Sequence, residues 1–156
     1  MNDPTTAAAL VAALSSAGLS VSFCESLTAG LAAATVADIP GASAVLRGGL
    51  ITYATELKST LAGVPVELLA THGPVASETA AAMAVGCRKA CASDWAVSLT
   101  GIAGPDTQDE HPVGQVWLGF ATDGDVSTAQ CQFSGSRREI RKAAVEAALA
   151  GLLARL

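Results

Sequence analysis

The chain has 156 residues, 51% of them hydrophobic and 15% charged, with a mean hydropathy of +0.44, which excludes a disordered tail, a coiled coil and a collagen-like repeat. Fourteen acidic residues against nine Lys and Arg leave a formal charge of −5, a balance that repels a phosphodiester backbone and argues against nucleic acid as a partner. The length predicts a single domain over residues 1–156, able to bury about two-thirds of its unfolded surface without a disulfide or metal staple.

Residues 4–17 read as a helix with Pro4 at or near its first turn and Gly18 as its stop. Val21 to Cys24 is β-prone, and Glu25-Ser26-Leu27-Thr28-Ala29-Gly30 then leads into an alanine-rich helix ending near Ala37, so a strand, a tight turn and a helix follow one another. Pro40-Gly41 breaks the chain before a second strand over Leu46 to Ala54. Thr55 is placed to cap a short helix that ends at Gly63-Val64-Pro65, with one more helical turn from Pro65 to Leu69.

After the His72-Gly73-Pro74 loop, Ser77 is expected to cap a long helix reaching Cys91, and Glu78 favours its N-terminal dipole. Trp95 to Leu99 is a short buried strand, and Thr100 to Pro112 a loop. Val113 to Ala121 and Val126 to Phe133 form a hairpin around Asp123-Gly124. Ser136-Arg137-Arg138-Glu139 has the capping-box pattern and opens a last helix running to Leu153. The alternation predicts a layered α/β domain, with helices on both faces of a mixed sheet and one strand antiparallel.

Asp3 stands where a signal peptide carries positive charge, the apolar run 7–14 is eight residues long, and no segment reaches the ~18 apolar residues of a membrane span. A soluble, cytoplasmic protein with no membrane partner is expected. The cysteines at 24, 87, 91 and 131 form no Cys-x-x-Cys pair. They read as small hydrophobes, with no metal site and no cofactor.

Ser26 stands at a strand-to-helix turn, where it is either an N-cap or a nucleophile facing backbone N–H groups able to stabilise an oxyanion. Thr28 and Gly30 keep that turn tight. The sequence offers no imidazole base: His72 and His111 lie in loops without a neighbouring triad signature. A desolvated lysine can serve instead. Lys58 follows Tyr53, the sole tyrosine, by five positions, and a strand end followed by a helix start would turn both toward the crevice of Ser26.

Gly101 and Gly104, in the loop Thr100-Gly101-Ile102-Ala103-Gly104-Pro105, fit either a tight connection or close backbone approach to a ligand. Arg137 and Arg138 open the last helix, where its dipole disfavours cations. A monophosphate between Arg137, Arg141 and the helix N-terminus would remove that penalty; solvated arginines paired with surface acids are the competing reading.

Taken together, Glu25-Ser26-x-Thr28-x-Gly30, Tyr53-x-x-x-x-Lys58, Thr100-Gly101-Ile102-Ala103-Gly104-Pro105, Pro112-Val113-Gly114 and Gly135-x-Arg137-x-x-Ile140-Arg141 resemble the C-terminal domain of the CinA competence/damage-inducible family and its stand-alone nicotinamide-nucleotide amidases. The resemblance runs from about Leu10 to the C-terminus. It implies a three-layer α/β/α fold with a mixed, mostly parallel sheet. It also implies deamidation of nicotinamide mononucleotide to nicotinate mononucleotide and ammonia, by a Ser-Lys arrangement with a tyrosine that maps onto Ser26, Lys58 and Tyr53.

By the same resemblance Ser43 matches a family serine near the site, and Thr28, Gly30, Thr100, Gly101, Gly104, Arg137 and Arg141 are carried over as substrate-binding positions. The sequence departs from the family pattern at Leu27, Ala29, Thr55, Thr107, Gln108 and Ser136. The expected partner is a small mononucleotide, and a homodimer fits an alanine-rich hydrophobic chain of this size. The competing function is a non-catalytic nucleotide-binding module that keeps the fold and the phosphate site.

Overall fold

In a computed structural model, which describes residues 4–156, five strands form one sheet in the order β2-β1-β3-β4-β5. The strands are β1 (Val21–Glu25), β2 (Leu46–Ile51), β3 (Trp95–Gly101), β4 (Gln115–Ala121) and β5 (Val126–Gln132). Around them lie α1 (Thr6–Ala17), α2 (Leu31–Ala37), α3 (Thr55–Thr60), α4 (Val66–His72), α5 (Ser77–Cys91) and α6 (Arg137–Leu153). β1 pairs in parallel with β2 and β3, while β4 runs antiparallel to both its neighbours. β4 alone opposes the common direction, which gives the mixed α/β sheet expected.

The strand alternation sorts the core into two layers. Val21, Phe23, Val97 and Leu99 point to one face and pack with α1, α2 and α6 through Leu10, Leu14, Val36, Ile140, Leu149 and Leu152. Cys24 and Ala96 point to the other and pack with Met83 and Cys87 of α5. This second face carries small side chains so that α5 can lie close. A Cβ at Gly119 would fall 2.4 Å from the Ala80 carbonyl oxygen, and Ser98 Oγ donates to that same oxygen at 2.6 Å.

β1 passes through α2 over the first face to β2, and the chain returns through α3, α4 and α5 over the second face to β3, on the far side of β1. The connections leaving the carboxyl ends of β1 and β3 therefore diverge, opening the crevice where open α/β sheets bind ligands.

Several local expectations shift. Pro4 precedes the helix, and Thr5 caps it by accepting from the Ala8 N–H. β2 ends at Ile51, β3 extends to Gly101, and α4 is a seven-residue helix. Thr55 and Ser77 are first helical residues without capping bonds, the N-caps being Ala54 and Ala76. The Ser77 hydroxyl instead pairs with Thr128 Oγ1 of β5 at 2.7 Å, a tertiary partner that outcompetes the local cap. The Ser136–Glu139 capping box forms as expected. Among the described residues, no helix is long and apolar enough to cross a membrane.

Candidate active site

The turn after β1 is built by three backbone bonds. The Ser26 N–H donates to the Leu99 carbonyl of β3 at 2.9 Å, which extends the β1–β3 pairing by one residue. The Ala29 N–H returns to the Ser26 carbonyl at 3.1 Å, and Leu31 N–H to the Thr28 carbonyl at 3.0 Å. Ala29 takes φ 51°, a left-handed conformation that costs an alanine about 1 kcal/mol. Gly30 follows at φ 102° as the side-chain-less N-cap of α2.

The missing cap is supplied from further back. The buried Glu25 carboxylate accepts the Ala32 N–H at 2.8 Å and the Ala33 N–H at 3.1 Å, satisfying orphan donors of α2. Glu25 thus anchors the helix that follows the Ser26 turn.

Lys58 projects from α3 into this turn and is only 1% exposed. Its Nζ donates to Ser26 Oγ at 3.0 Å and to the Thr52 carbonyl at 2.7 Å. Burial pushes its pKa down to about 8, against the smaller opposing pull of Cys24 and Glu56. About a tenth of the lysine is then neutral at pH 7, against a negligible fraction at its ordinary pKa, and the neutral form is the one a proton acceptor requires.

Two amide donors border the serine. Neither the Leu27 N–H nor the Thr28 N–H has an acceptor among the described residues. Thr28 is fully buried, and its Oγ1 also lacks a partner there. A cavity of about 140 Å³ opens beside Ser26 and Leu27, with Thr28 outside its wall; Tyr53, Gly101, Gly104 and Arg137 also line it, and Ile102, Ala103, Asp106 and Gln108 complete it. Arg137 donates to the Gly104 carbonyl through Nη1 and to the Tyr53 hydroxyl at 2.9 Å through Nη2.

The structure brings Ser26, Lys58, Tyr53, Gly101, Gly104 and Arg137 to this crevice, and places other expected residues elsewhere or in other roles. Tyr53 meets Arg137 rather than Lys58; the backbone carbonyl of its neighbour Thr52 holds the lysine. Ser43 is exposed in a 3₁₀ turn ahead of β2, at the opposite end of the parallel strands from Ser26. Thr100 is buried and donates to the Pro74 carbonyl at 2.6 Å, outside the cavity wall.

Arg141 departs furthest from expectation. Its Nε donates to the Leu27 carbonyl at 2.9 Å and its Nη2 to the Thr28 carbonyl at 3.0 Å, so it grips the Ser26 turn and does not line the cavity. The N-terminus of α6 is likewise taken: the Glu139 carboxylate accepts the Ser136 N–H at 2.7 Å, and that bond holds its pKa below the usual range. An anion bound by Arg137, Arg141 and the helix end together does not match this arrangement.

Glu25, Asp106, Gln108 and the Thr52 carbonyl were not singled out by sequence reasoning. Only Glu25 carried a signal, as the acid that ends a β-prone run just before a helix opening at Gly30.

A family model described as the CinA C-terminal domain matches residues 3–156. A CinA-like protein of Frankia casuarinae is 45% identical over 125 residues, covering 80% of this chain and 29% of the relative. A competence-damage inducible protein of Streptococcus gordonii is 48% identical over 133 residues, covering 85% of this chain and 32% of the relative. The chain therefore spans about a third of the length of these curated relatives.

Among solved structures, the competence/damage inducible protein CihA of Agrobacterium tumefaciens superposes with a TM-score of 0.89 at 37% identity, covering 99% of this chain and 98% of that one. A CinA superfamily protein of Escherichia coli gives a TM-score of 0.93 at 28% identity, covering 97% and 88%.

Proposed function

The chain belongs to the CinA C-terminal domain family, and from that premise we propose that it is an amidohydrolase converting nicotinamide mononucleotide and water to nicotinate mononucleotide and ammonia. The observation that carries this reading is the buried contact of 3.0 Å between Lys58 Nζ and Ser26 Oγ. A lysine depressed to a pKa of about 8 beside a serine hydroxyl is the arrangement an imidazole-free serine hydrolase requires.

In this reading neutral Lys58 takes the Ser26 proton as Oγ bonds to the carboxamide carbon. The carbonyl π electrons move to oxygen, and the Leu27 N–H on the cavity wall stabilises the resulting charge. Collapse of the intermediate breaks the C–N bond, and Lys58 returns its proton to the departing nitrogen, which leaves as ammonia. Water then attacks the acyl ester, with Lys58 taking its proton and handing it to Ser26 Oγ, and nicotinate mononucleotide is released. Arg137, on the cavity wall with the Tyr53 hydroxyl, is the cation available to the substrate's phosphate.

The test is ammonia release by the purified protein supplied with nicotinamide mononucleotide. Stoichiometric ammonia and nicotinate mononucleotide support the reading. Tight binding of the nucleotide without ammonia release would replace it with a non-catalytic nucleotide-binding module.

A further inference from the structure

The contacts of Arg141 assign it a task other than binding phosphate. Its guanidinium holds the Leu27 and Thr28 carbonyls at 2.9 and 3.0 Å, and these belong to the two residues immediately after Ser26. Ser26 to Ala29 is a β-turn closed by the Ala29 N–H, and the Leu27–Thr28 peptide is its central unit. That central unit is the one a turn can flip, exchanging the directions of its C=O and N–H while the ends stay in place.

Holding the Leu27 and Thr28 carbonyls on one guanidinium blocks that flip and fixes the turn in a single conformation. Thr28 is fully buried and lies outside the cavity wall, whereas Leu27 lines the cavity and its N–H has no acceptor among the described residues. The Leu27 N–H is therefore the donor that the fixed turn presents beside Ser26.

We infer that Arg141 is a positioning residue that locks the Ser26–Ala29 turn, so that the Leu27 N–H beside Ser26 serves as an oxyanion donor, an inference resting on the amidase reading above. It distinguishes Arg141 from Arg137, four residues earlier on the same helix, which lines the cavity itself. The distinction has a kinetic signature. An oxyanion donor acts on the transition state and lowers kcat when disturbed, whatever the rest of the substrate carries; a phosphate ligand acts on the mononucleotide alone.

The experiment compares wild type, Arg141→Ala and Arg141→Lys, each checked for cooperative unfolding, on nicotinamide mononucleotide and nicotinamide riboside. Arg141→Ala should lower kcat about 10- to 100-fold on both substrates with KM nearly unchanged. Arg141→Lys, which can hold one carbonyl, should recover part of the loss and carries the test should the alanine variant not fold. A rise in KM confined to the mononucleotide would overturn the inference, as would unchanged kcat in both variants.

A second readout needs no nicotinamide substrate: the rate at which p-nitrophenyl acetate acylates Ser26, where Oγ bonds to the acetyl carbon, p-nitrophenolate leaves and Lys58 takes the proton. Arg141→Ala should slow this step about tenfold or more, and equal rates would sink the proposal. Wild-type protein that is acylated but releases no ammonia from the mononucleotide overturns the amidase reading while the acylation rates still decide the role of Arg141. Wild type inert in both assays overturns both.

Discussion

Lys58 Nζ is suspended between Ser26 Oγ at 3.0 Å and the Thr52 carbonyl at 2.7 Å, in a position only 1% exposed to solvent. The carbonyl can only accept, so it orients the amine; the hydroxyl can donate back, so it is the proton source once Lys58 is neutral. With the pKa pushed down to about 8 by burial, the active form appears as pH rises. We predict that kcat/KM climbs about tenfold per pH unit below 8 and levels off above it. A profile flat from pH 6 to 9 would remove Lys58 from the general-base role.

The same burial makes Lys58 a liability for stability. Its folded pKa lies below the ordinary lysine value of 10.5, so between about 8 and 10.5 the unfolded chain binds more protons and stability rises with pH. At pH 7 the lysine is mostly charged in both states, and holding that charge inside costs about 3 kcal/mol. Lys58→Met keeps the stem and removes the charge. We expect it to abolish turnover while stabilising the fold by about 1–2 kcal/mol at pH 7, once the lost hydrogen bonds are set against the relieved charge. Thermal unfolding measures this, and a Tm lowered by several degrees would contradict it.

Arg137 lies on the cavity wall, tied to Tyr53 and to the Gly104 carbonyl. Arg137→Ala should raise KM for nicotinamide mononucleotide, with a loss of about 1.5–3 kcal/mol in kcat/KM for a charge-assisted contact. Hydrolysis of nicotinamide riboside should change little. Steady-state kinetics on both substrates check this, and an equal loss on each would place Arg137 in support of the loop rather than on the phosphate.

How much of this was legible beforehand depends on how local each signal was. The Ser136 capping box and the Gly18 helix stop involve residues within one turn of each other, and both formed as the sequence indicated. The Ser77 cap failed because Thr128, 51 residues away, took its hydroxyl. Spacing from Tyr53 brought Lys58 to Ser26, but could not say that a neighbouring carbonyl rather than the phenol would hold the lysine.

Helical periodicity placed Arg137 and Arg141 on one face of α6, yet periodicity is silent about what lies opposite. For Arg141 that is a turn 113 and 114 residues earlier in the chain. Ser43 fell on the wrong end of the sheet because a motif match fixes a position in the chain and not an end of the strand.

The central claim is that Ser26 Oγ forms the bond to the carboxamide carbon, and its most direct test is ammonia release from nicotinamide mononucleotide by wild type and Ser26→Ala in parallel, with nucleotide binding measured on both. We predict that the wild type releases ammonia and nicotinate mononucleotide in equal amounts, while Ser26→Ala binds the nucleotide with similar affinity and turns over at less than about a hundredth of the rate. Ammonia release by Ser26→Ala at more than about a tenth of the wild-type rate would contradict the account.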